Sequence, residues 1–350
     1  MSKKVLLGMS GGVDSSVAAV LLKNEGYEVV GLTMQLFDNK ENEHNSMIDD
    51  AKRVCDFLNI AHYVVSFKDV FKRHVIDDFI CQYKNCRTPN PCIECNKYLK
   101  FGAMHEKARE LGCDYIATGH YAKIEYSDKY GQKVLKISNA GKKDQSYVLY
   151  NITDDLLDKV LFPLSDFENK DEIRKIALEN NLPVANKPDS EDICFVPNGD
   201  YKSFLIENSD IKYEAGNIVD RQGKFIGMHE GLFKYTIGQR KGLGISNKTP
   251  LFVLGFNREK NELIVGEEKE LYTKEFFVQQ VNIILKNKIN FPMKVDVKIR
   301  YLSPLLSAEI FELDNGEIKV VFDEPQKSVT PGQSAVFYDG DVVIGGGKIK

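Results

Sequence analysis

The chain has no apolar run approaching the roughly 20 residues that a bilayer-spanning helix needs, so a helical membrane anchor is excluded on sequence grounds. It also lacks the apolar core of a secretion signal, because Met1-Ser2-Lys3-Lys4 leads straight into a short strand-like segment. A cytoplasmic protein is therefore expected. An excess of charge of one sign is missing too. The net charge of −4 argues against a nonspecific coat on nucleic acid, but not against a local basic groove. No internal repeat or low-complexity tract stands out. The glycine-rich loop at 8–16 has no lysine where a G-x-x-x-x-G-K-[ST] loop requires one, nor does it follow G-x-G-x-x-G.

What is present is ordinary globular material. Of 350 residues, 43% are hydrophobic and 28% charged, enough for two or three domains. The first part alternates short apolar runs (5–7, 29–34, 62–66, 115–118) with helical stretches (16–24, 46–58, 69–84, 100–111). That alternation predicts a doubly wound parallel sheet. Residues 39–45 read as a polar loop, 123–134 as a polar hairpin, and 154–160 and 170–180 as further helices. Beyond about 205 the helical period disappears. Short strands recur at 217–220, 224–228, 252–257, 262–265, 276–284, 295–299, 308–313, 318–322 and 334–338. Such spacing predicts two small, mainly-β domains. The expected division is 1–204, 205–280 and 281–350.

Gly8-Met9-Ser10-Gly11-Gly12-Val13-Asp14-Ser15-Ser16 follows the apolar run Val5-Leu6-Leu7. A buried strand enters a glycine-serine turn and then a helix. Consecutive N–H groups in such a turn form an anion nest at a helix N-terminus. Asp14, a carboxylate in a phosphate nest, makes sense if it meets Mg²⁺. Glycines and an N-cap serine are also all that an ordinary strand-to-helix turn needs.

Seven cysteines occur: Cys55, Cys81, Cys86, Cys92, Cys95, Cys113 and Cys194. In a reducing compartment they are core filler, ligands or reactive thiols. Around Cys86-Arg87-Thr88-Pro89-Asn90-Pro91-Cys92-Ile93-Glu94-Cys95-Asn96-Lys97 the prolines predict a stiff, extended loop. A helix is then expected from about Asn96, with Cys95 at its start. The helix dipole, Arg87 and Lys97 would lower the Cys95 thiol pKa. On spacing alone, metal ligand and nucleophile are equally good readings, with Cys81, Cys86, Cys92 and Cys95 a zinc-like set. Cys81 reads as core. Cys194, in a polar loop ahead of Phe195-Val196, would by itself read as a buried thiol.

The loop at 10–16 resembles the pyrophosphate-binding loop of the ATP pyrophosphatases. Taken with Pro89-Asn90-Pro91-x-x-x-Cys95-Asn96, Ala117-Thr118-Gly119-His120-Tyr121, Lys143-Asp144-Gln145-Ser146-Tyr147, Asp192-Ile193-Cys194-Phe195 and Tyr235-Thr236-Ile237-Gly238-Gln239-Arg240-Lys241-Gly242-Leu243, the chain resembles the bacterial tRNA-specific 2-thiouridylases along its whole length. The resemblance implies ATP-dependent adenylation of the C2 oxygen of the wobble base, uridine 34 of a tRNA. Sulfur then replaces that oxygen, and AMP and pyrophosphate leave.

By position in those motifs, Cys194 would carry the persulfide and Cys95 would be the attacking nucleophile. Their loops must then converge, and mild oxidation is expected to join them in a disulfide. ATP would be held by Gly8, Met9, Ser10, Gly11, Gly12, Val13, Asp14 and Ser15, with Met34 and Gly119 at strand ends. Asn90, Pro91 and Cys92 would touch the target base. Contacts to tRNA would come from His120, Lys143, Asp144, Gln145, Arg300, Tyr301 and Gln333, and two locally basic stretches, 129–143 and 286–300, are a reasonable phosphate footprint. The implied partners are tRNA and a sulfur donor, such as a cysteine desulfurase or a relay protein. Many relatives have aspartate where this chain has Cys92. Cys92, Cys95 and Cys194 could supply three thiolates to an iron–sulfur cluster, but simple packing of Cys92 beside the base is the favoured reading. Other ATP pyrophosphatases, of argininosuccinate synthase or lysidine synthetase type, would leave the paired cysteines unexplained. A zinc-bearing RNA-binding module would leave the phosphate loop unexplained.

Overall fold

The computed structural model describes residues 2–37, 45–188 and 192–350. The expected loop at 39–45 falls almost wholly outside them, as does the start of the Cys194 loop. In chain order the first part contains β1 (Lys4–Gly8), α1 (Val13–Asn24), β2 (Glu28–Gln35), α2 (Asn45–Phe57), β3 (Ala61–Ser66), α3 (68–84), α4 (91–110), β4 (Tyr115–Ala117), β5 (Lys123–Ser127), β6 (Gln132–Lys136), β7 (Val160–Leu161), α5 (Lys170–Glu179) and α6 (Tyr201–Asn208). Five strands form a parallel sheet in the order β3-β2-β1-β4-β7. Val5, Leu6 and Leu7 are fully buried, as a parallel strand covered on both faces requires. Leu6 packs with Ile93, Phe101 and Met104 of α4 on one face. Val5 and Leu7 pack with Val17, Ala18 and Val54 of α1 and α2 on the other. The strand order reverses between β1 and β4, which opens a crevice at their carboxyl ends.

The middle part is a four-stranded sheet of β8 (Gly216–Val219), β9 (Phe225–His229), β10 (Phe252–Asn257) and β11 (Glu262–Gly266) around Ile218, Val253 and Leu263. The last part holds β12 (Tyr272–Ile283), β13 (Met293–Lys298), β14 (Leu306–Glu312), β15 (Ile318–Lys327), β16 (Ser334–Asp339) and β17 (Val342–Ile349). These run β12-β15-β14-β13-β16-β17, and a β12–β17 pairing closes the barrel. The β5–β6 hairpin, from the first part of the chain, adds to the same sheet beside β17.

Four expectations need correction. The segment 154–160 is not a helix: a single turn at Asp154–Leu156 leads into β7, a two-residue strand too short to show any period. The expected break at 280/281 falls inside β12, which pairs on both sides across that point. Strand β17 was not anticipated, because Gly345-Gly346-Gly347 interrupts its apolar pattern. A Cβ on any of the three would meet backbone at 2.3–2.7 Å, so the barrel closes around them. Cys81 is exposed rather than core.

The barrel is joined to α4 by a buried ion pair. Lys348 Nζ lies 2.9 Å from Glu94 Oε1 and 3.1 Å from Asp78 Oδ2. Lys348 and Glu94 are 8% and 7% exposed, so without Lys348 the Glu94 carboxylate would be left as a buried charge with no partner among the described residues. Lys348→Met is expected to lower unfolding stability by about 3–5 kcal/mol, and adding Glu94→Leu to restore most of it. The urea midpoints of the single and double variants measure this. Equal midpoints for wild type and Lys348→Met would show that the pair holds nothing.

Candidate active site

The turn after β1 lies at the topological switch point. Ser10 N–H and Ser15 Oγ are 3.3 Å apart, and the hydroxyls of Ser15 and Ser16 donate to Gly12 O at 3.2 and 2.8 Å. Gly11 adopts φ +68° and Gly12 caps α1 in an extended conformation. No side chain caps α1, so its first N–H groups remain available to an anion. Asp14 Oδ1 accepts from the Tyr121 hydroxyl at 2.8 Å and Oδ2 from Lys170 Nζ at 2.9 Å. Lys187 Nζ donates to Gly11 O at 3.1 Å and to Asp50 Oδ2 at 2.6 Å. Burial works against the Asp50 charge, but Lys187 and Arg53 hold its carboxyl below the usual range. Lys170 and Lys187 are functional candidates that the sequence reading missed. They lie far along the chain from the loop, and no local pattern marks them. Met34, at the end of β2, is half-buried between two apolar clusters.

Across the crevice, the exit of β4 presses on the loop. A Cβ on Gly119 would lie 2.9 Å from Ser15 N and 3.0 Å from Asp14 C, so only glycine fits. The next residue faces the other way. His120 is buried, with Nδ1 2.6 Å from Thr118 Oγ1 and Nε2 3.2 Å from Lys100 Nζ. Burial, aided by the Lys100 charge, holds His120 well below its ordinary pKa and hence neutral. Three consecutive residues, Thr118 to His120, thus connect the phosphate loop to α4.

The cysteine segment departs from the extended loop expected. Asn90 is an N-cap, accepting from Cys92 N–H at 3.2 Å, and Pro91 starts the helix. Proline is favoured there because its missing N–H is not needed. Cys95 therefore lies in the second turn of α4 rather than at its start, which removes most of the dipole effect expected on it. Burial raises the Cys95 thiol pKa, against the pull of Lys100 and with a smaller contribution from Cys92. Cys92 is raised by burial too, and Cys194 is pushed up to about 12 by burial with Cys95 and Cys92 adding to it. The lowering by Arg87 and Lys97 is thus corrected: the cation felt by all three thiols is Lys100. Cys95 packs in the same apolar cluster as Ile193, Phe195 and Val196, so the segments of Cys95 and Cys194 converge. The Cys194 loop is anchored by Phe195, whose ring sits 5.6, 5.3 and 5.2 Å from those of Phe71, Phe79 and Phe204.

The tRNA-contact residues expected from sequence divide. Lys143 is exposed. Asp144 is buried, accepting from Ser138 N–H at 2.9 Å and Ser146 Oγ at 2.6 Å. Gln145 accepts from Tyr121 N–H at 2.9 Å. His120 and Asp144 are thus engaged inside the protein rather than displayed to a phosphate, a correction to both. Arg300 is exposed but donates to Ser328 O at 2.9 Å and Thr330 Oγ1 at 2.7 Å. Gln333 donates to Thr88 O at 2.9 Å, bracing the segment before Asn90. Tyr301 is half-buried against Tyr147, and burial, then Asp144 and Cys92, push its hydroxyl up to about 12. Among the described residues, no three His, Cys, Asp or Glu side chains are arranged to hold a metal ion. Neither the zinc set nor the three-thiolate cluster set comes together as a metal-holding group among those described residues.

A parallel sheet with a lysine-free phosphate loop at its switch point, facing converged thiols, defines an α/β enzyme of the HUP class. A family model described as "tRNA methyl transferase HUP domain" matches residues 3–198. A PRC-barrel model of the same family matches 202–267, and an "Aminomethyltransferase beta-barrel domain" matches 273–349. The chain is 48% identical over 357 residues to the tRNA-specific 2-thiouridylase MnmA of Clostridioides difficile, covering 100% of this chain and 99% of that one. It is 47% identical to the MnmA of Acetivibrio thermocellus, covering 99% of each. A 4-thiouridine synthetase–RNA complex with bound ATP aligns over 59% of this chain and 50% of that one, at 18% identity and a TM-score of 0.39. The chain belongs to the tRNA-specific 2-thiouridylase family.

Two outcomes test the geometry. Gly119→Ala is expected to weaken ATP binding about tenfold or more, with a far smaller change in the urea midpoint, because the added methyl strikes the loop itself. Isothermal titration decides, and unchanged affinity would refute the close approach. At pH 7.5, iodoacetamide should label Cys81 about tenfold faster than half-buried Cys95 or than Cys194, which is itself exposed. Raised thiol pKa values keep the latter pair protonated, so the gap should narrow as pH rises above 9. Peptide mass analysis reads the order.

Proposed function

We propose that this chain is a tRNA-uridine 2-sulfurtransferase that makes 2-thiouridine at the wobble position. The observation that carries the reading is the bridge from Ser15 through Gly119 and His120 to Lys100 and the thiols. It sets an ATP-cleaving loop and two cysteines around one crevice. The C2 oxygen of the base attacks the α-phosphorus of ATP, and pyrophosphate leaves with the bridging oxygen. That conversion is needed because an amide-like oxygen is a poor leaving group until it carries AMP.

A persulfide on Cys194 supplies the sulfur. Its terminal sulfur attacks C2, and the C2–O bond breaks with its electron pair leaving on AMP. The Cys95 thiolate then attacks the sulfur still attached to Cys194. The C2-bound sulfur leaves with the S–S electron pair, giving 2-thiouridine and a Cys95–Cys194 disulfide. An external thiol reductant reopens the disulfide. A cysteine desulfurase or relay protein reloads Cys194, in a cytoplasm that keeps the remaining thiols reduced.

The nest of Gly8, Met9, Ser10, Gly11, Gly12, Val13 and Ser15 receives the phosphates, with Lys170 and Lys187 beside it. Asp14 is 30% exposed and has lone pairs beyond those taken by Tyr121 and Lys170, so it fits a Mg²⁺ bound to pyrophosphate. Asn90, Pro91, Cys92 and Tyr301 line the position for the flipped base, and Lys143 and Arg300 lie on the tRNA side. An iron–sulfur cluster is not part of this mechanism. Full activity of colourless, iron-free protein is the expected outcome.

Nucleotide products test the first half-reaction: AMP and pyrophosphate are expected, formed only with tRNA, and ADP would refute the reading. Asp14→Ala should slow adenylation by about 10²–10³-fold. Cys95→Ser and Cys194→Ser should each abolish 2-thiouridine while leaving tRNA affinity within about threefold, and only Cys194→Ser should fail to accumulate sulfane sulfur. Nucleoside mass analysis decides, and an undiminished rate in either variant would remove the paired-cysteine step.

A further inference from the structure

Cys92, Cys95 and Lys100 share the open side of α4, while Ile93, Glu94, Asn96 and Leu99 are buried. Cys92 and Cys95 stand three residues apart, neighbours on a helix surface. The helix then widens into a π-helical stretch at Asn96–Ala103. Its turn repeats at i+5, which returns Lys100 to the side of Cys95. A regular α-helix would turn Lys100 away.

The ammonium of Lys100 is half-buried and meets no carboxylate among the described residues. Its polar neighbour is Nε2 of His120 at 3.2 Å. An ammonium can only donate, so Nε2 accepts, and Nδ1 carries the ring proton toward Thr118 Oγ1 at 2.6 Å. A neutral imidazole in this tautomer aims the ammonium without cancelling its charge. The Lys100 charge acts on Cys92, Cys95, Cys194 and His120, and the helix carries Cys92 and Cys95 on its side. Among the described residues, Lys100 is the cation that acts on each of these thiols.

We propose that Lys100 is a catalytic residue of the sulfur-transfer half-reaction, stabilising the anionic sulfur that attacks C2, with His120 and Thr118 as the positioning residues that aim it. The proposal rests on the thiouridylase reading. Lys100 gives up no proton: sulfur bonds to C2, the C2–O bond breaks, and the electron pair leaves on AMP. Its removal should therefore cost the second half-reaction and spare the first.

The experiment compares wild type, Lys100→Met and Lys100→Arg in a single turnover with unmodified tRNA, ATP, Mg²⁺ and protein preloaded with sulfane sulfur. For Lys100→Met, pyrophosphate release should stay within about threefold of wild type. 2-Thiouridine formation should fall about 10²-fold or more, the usual scale for losing a preorganised charge, and adenylated tRNA should accumulate. Lys100→Arg keeps the charge and should recover to within about tenfold of wild type. Equal loss of both half-reactions, or no loss of thiolation, would overturn the proposal. A second readout needs no tRNA. At pH 8.5, iodoacetamide should label Cys95 about tenfold more slowly in Lys100→Met, because losing the ammonium lowers the thiolate population, at an unchanged urea midpoint. Equal labelling would overturn the placement of the charge. A wild type that releases no AMP and makes no 2-thiouridine would instead sink the reading on which the proposal rests, while the labelling still judges Lys100.

Discussion

The approach of β4 to the phosphate loop is the constraint on which the rest of the site depends. Gly119 has backbone of Asp14 and Ser15 where a side chain would go. With that contact made, Thr118 and His120 follow at a set position, His120 bonds the ammonium of Lys100, and Lys100 lies on the helix that carries Cys92 and Cys95. The separation between phosphate chemistry and sulfur chemistry is thus set by a backbone contact at a sheet switch point rather than by flexible side chains. From the opposite side, Lys348 of the barrel holds the same helix through Glu94, and Gln333 holds the segment leading into it. The helix is fixed at both faces before any substrate arrives.

That rigidity bears on the reactivity of the thiols. Burial disfavours the charged form, so Cys95 and Cys194 rest protonated. A persulfide is more acidic than a thiol and ionises where the thiol does not. In the sulfur transfer proposed above, the thiols are quiet when unloaded and the persulfide is the nucleophile. An ionised cysteine pair would instead react with oxidants and electrophiles at all times.

How much of this was legible in the sequence depended on range. The strand at 5–7, the phosphate turn and the helix after it are local and were read directly. The mainly-β character of the last half followed from turn spacing. Prolines misled at 89–91: Asn90-Pro91 is a helix start, with an N-cap and a favoured N1 residue, but in isolation it reads as an extended segment. Lys100 was hidden because helical spacing assumes 3.6 residues per turn, and the π-helical stretch changes which residues share a side. Lys170 and Lys187 reach the loop only through tertiary packing. His120 and Asp144 sit in polar motifs that look exposed, and only the fold reveals their burial.

The β5–β6 hairpin lies early in the chain, yet it pairs with β17, which comes far downstream. During synthesis the hairpin emerges from the ribosome long before its partner exists. Until β17 arrives, one hairpin edge remains open, and the barrel cannot close because β12 lacks its second neighbour as well. One late strand thus seals two separate seams. Helix α4 gains its Lys348 anchor from that same strand, so the cysteine-bearing helix is braced only after β17 has been made.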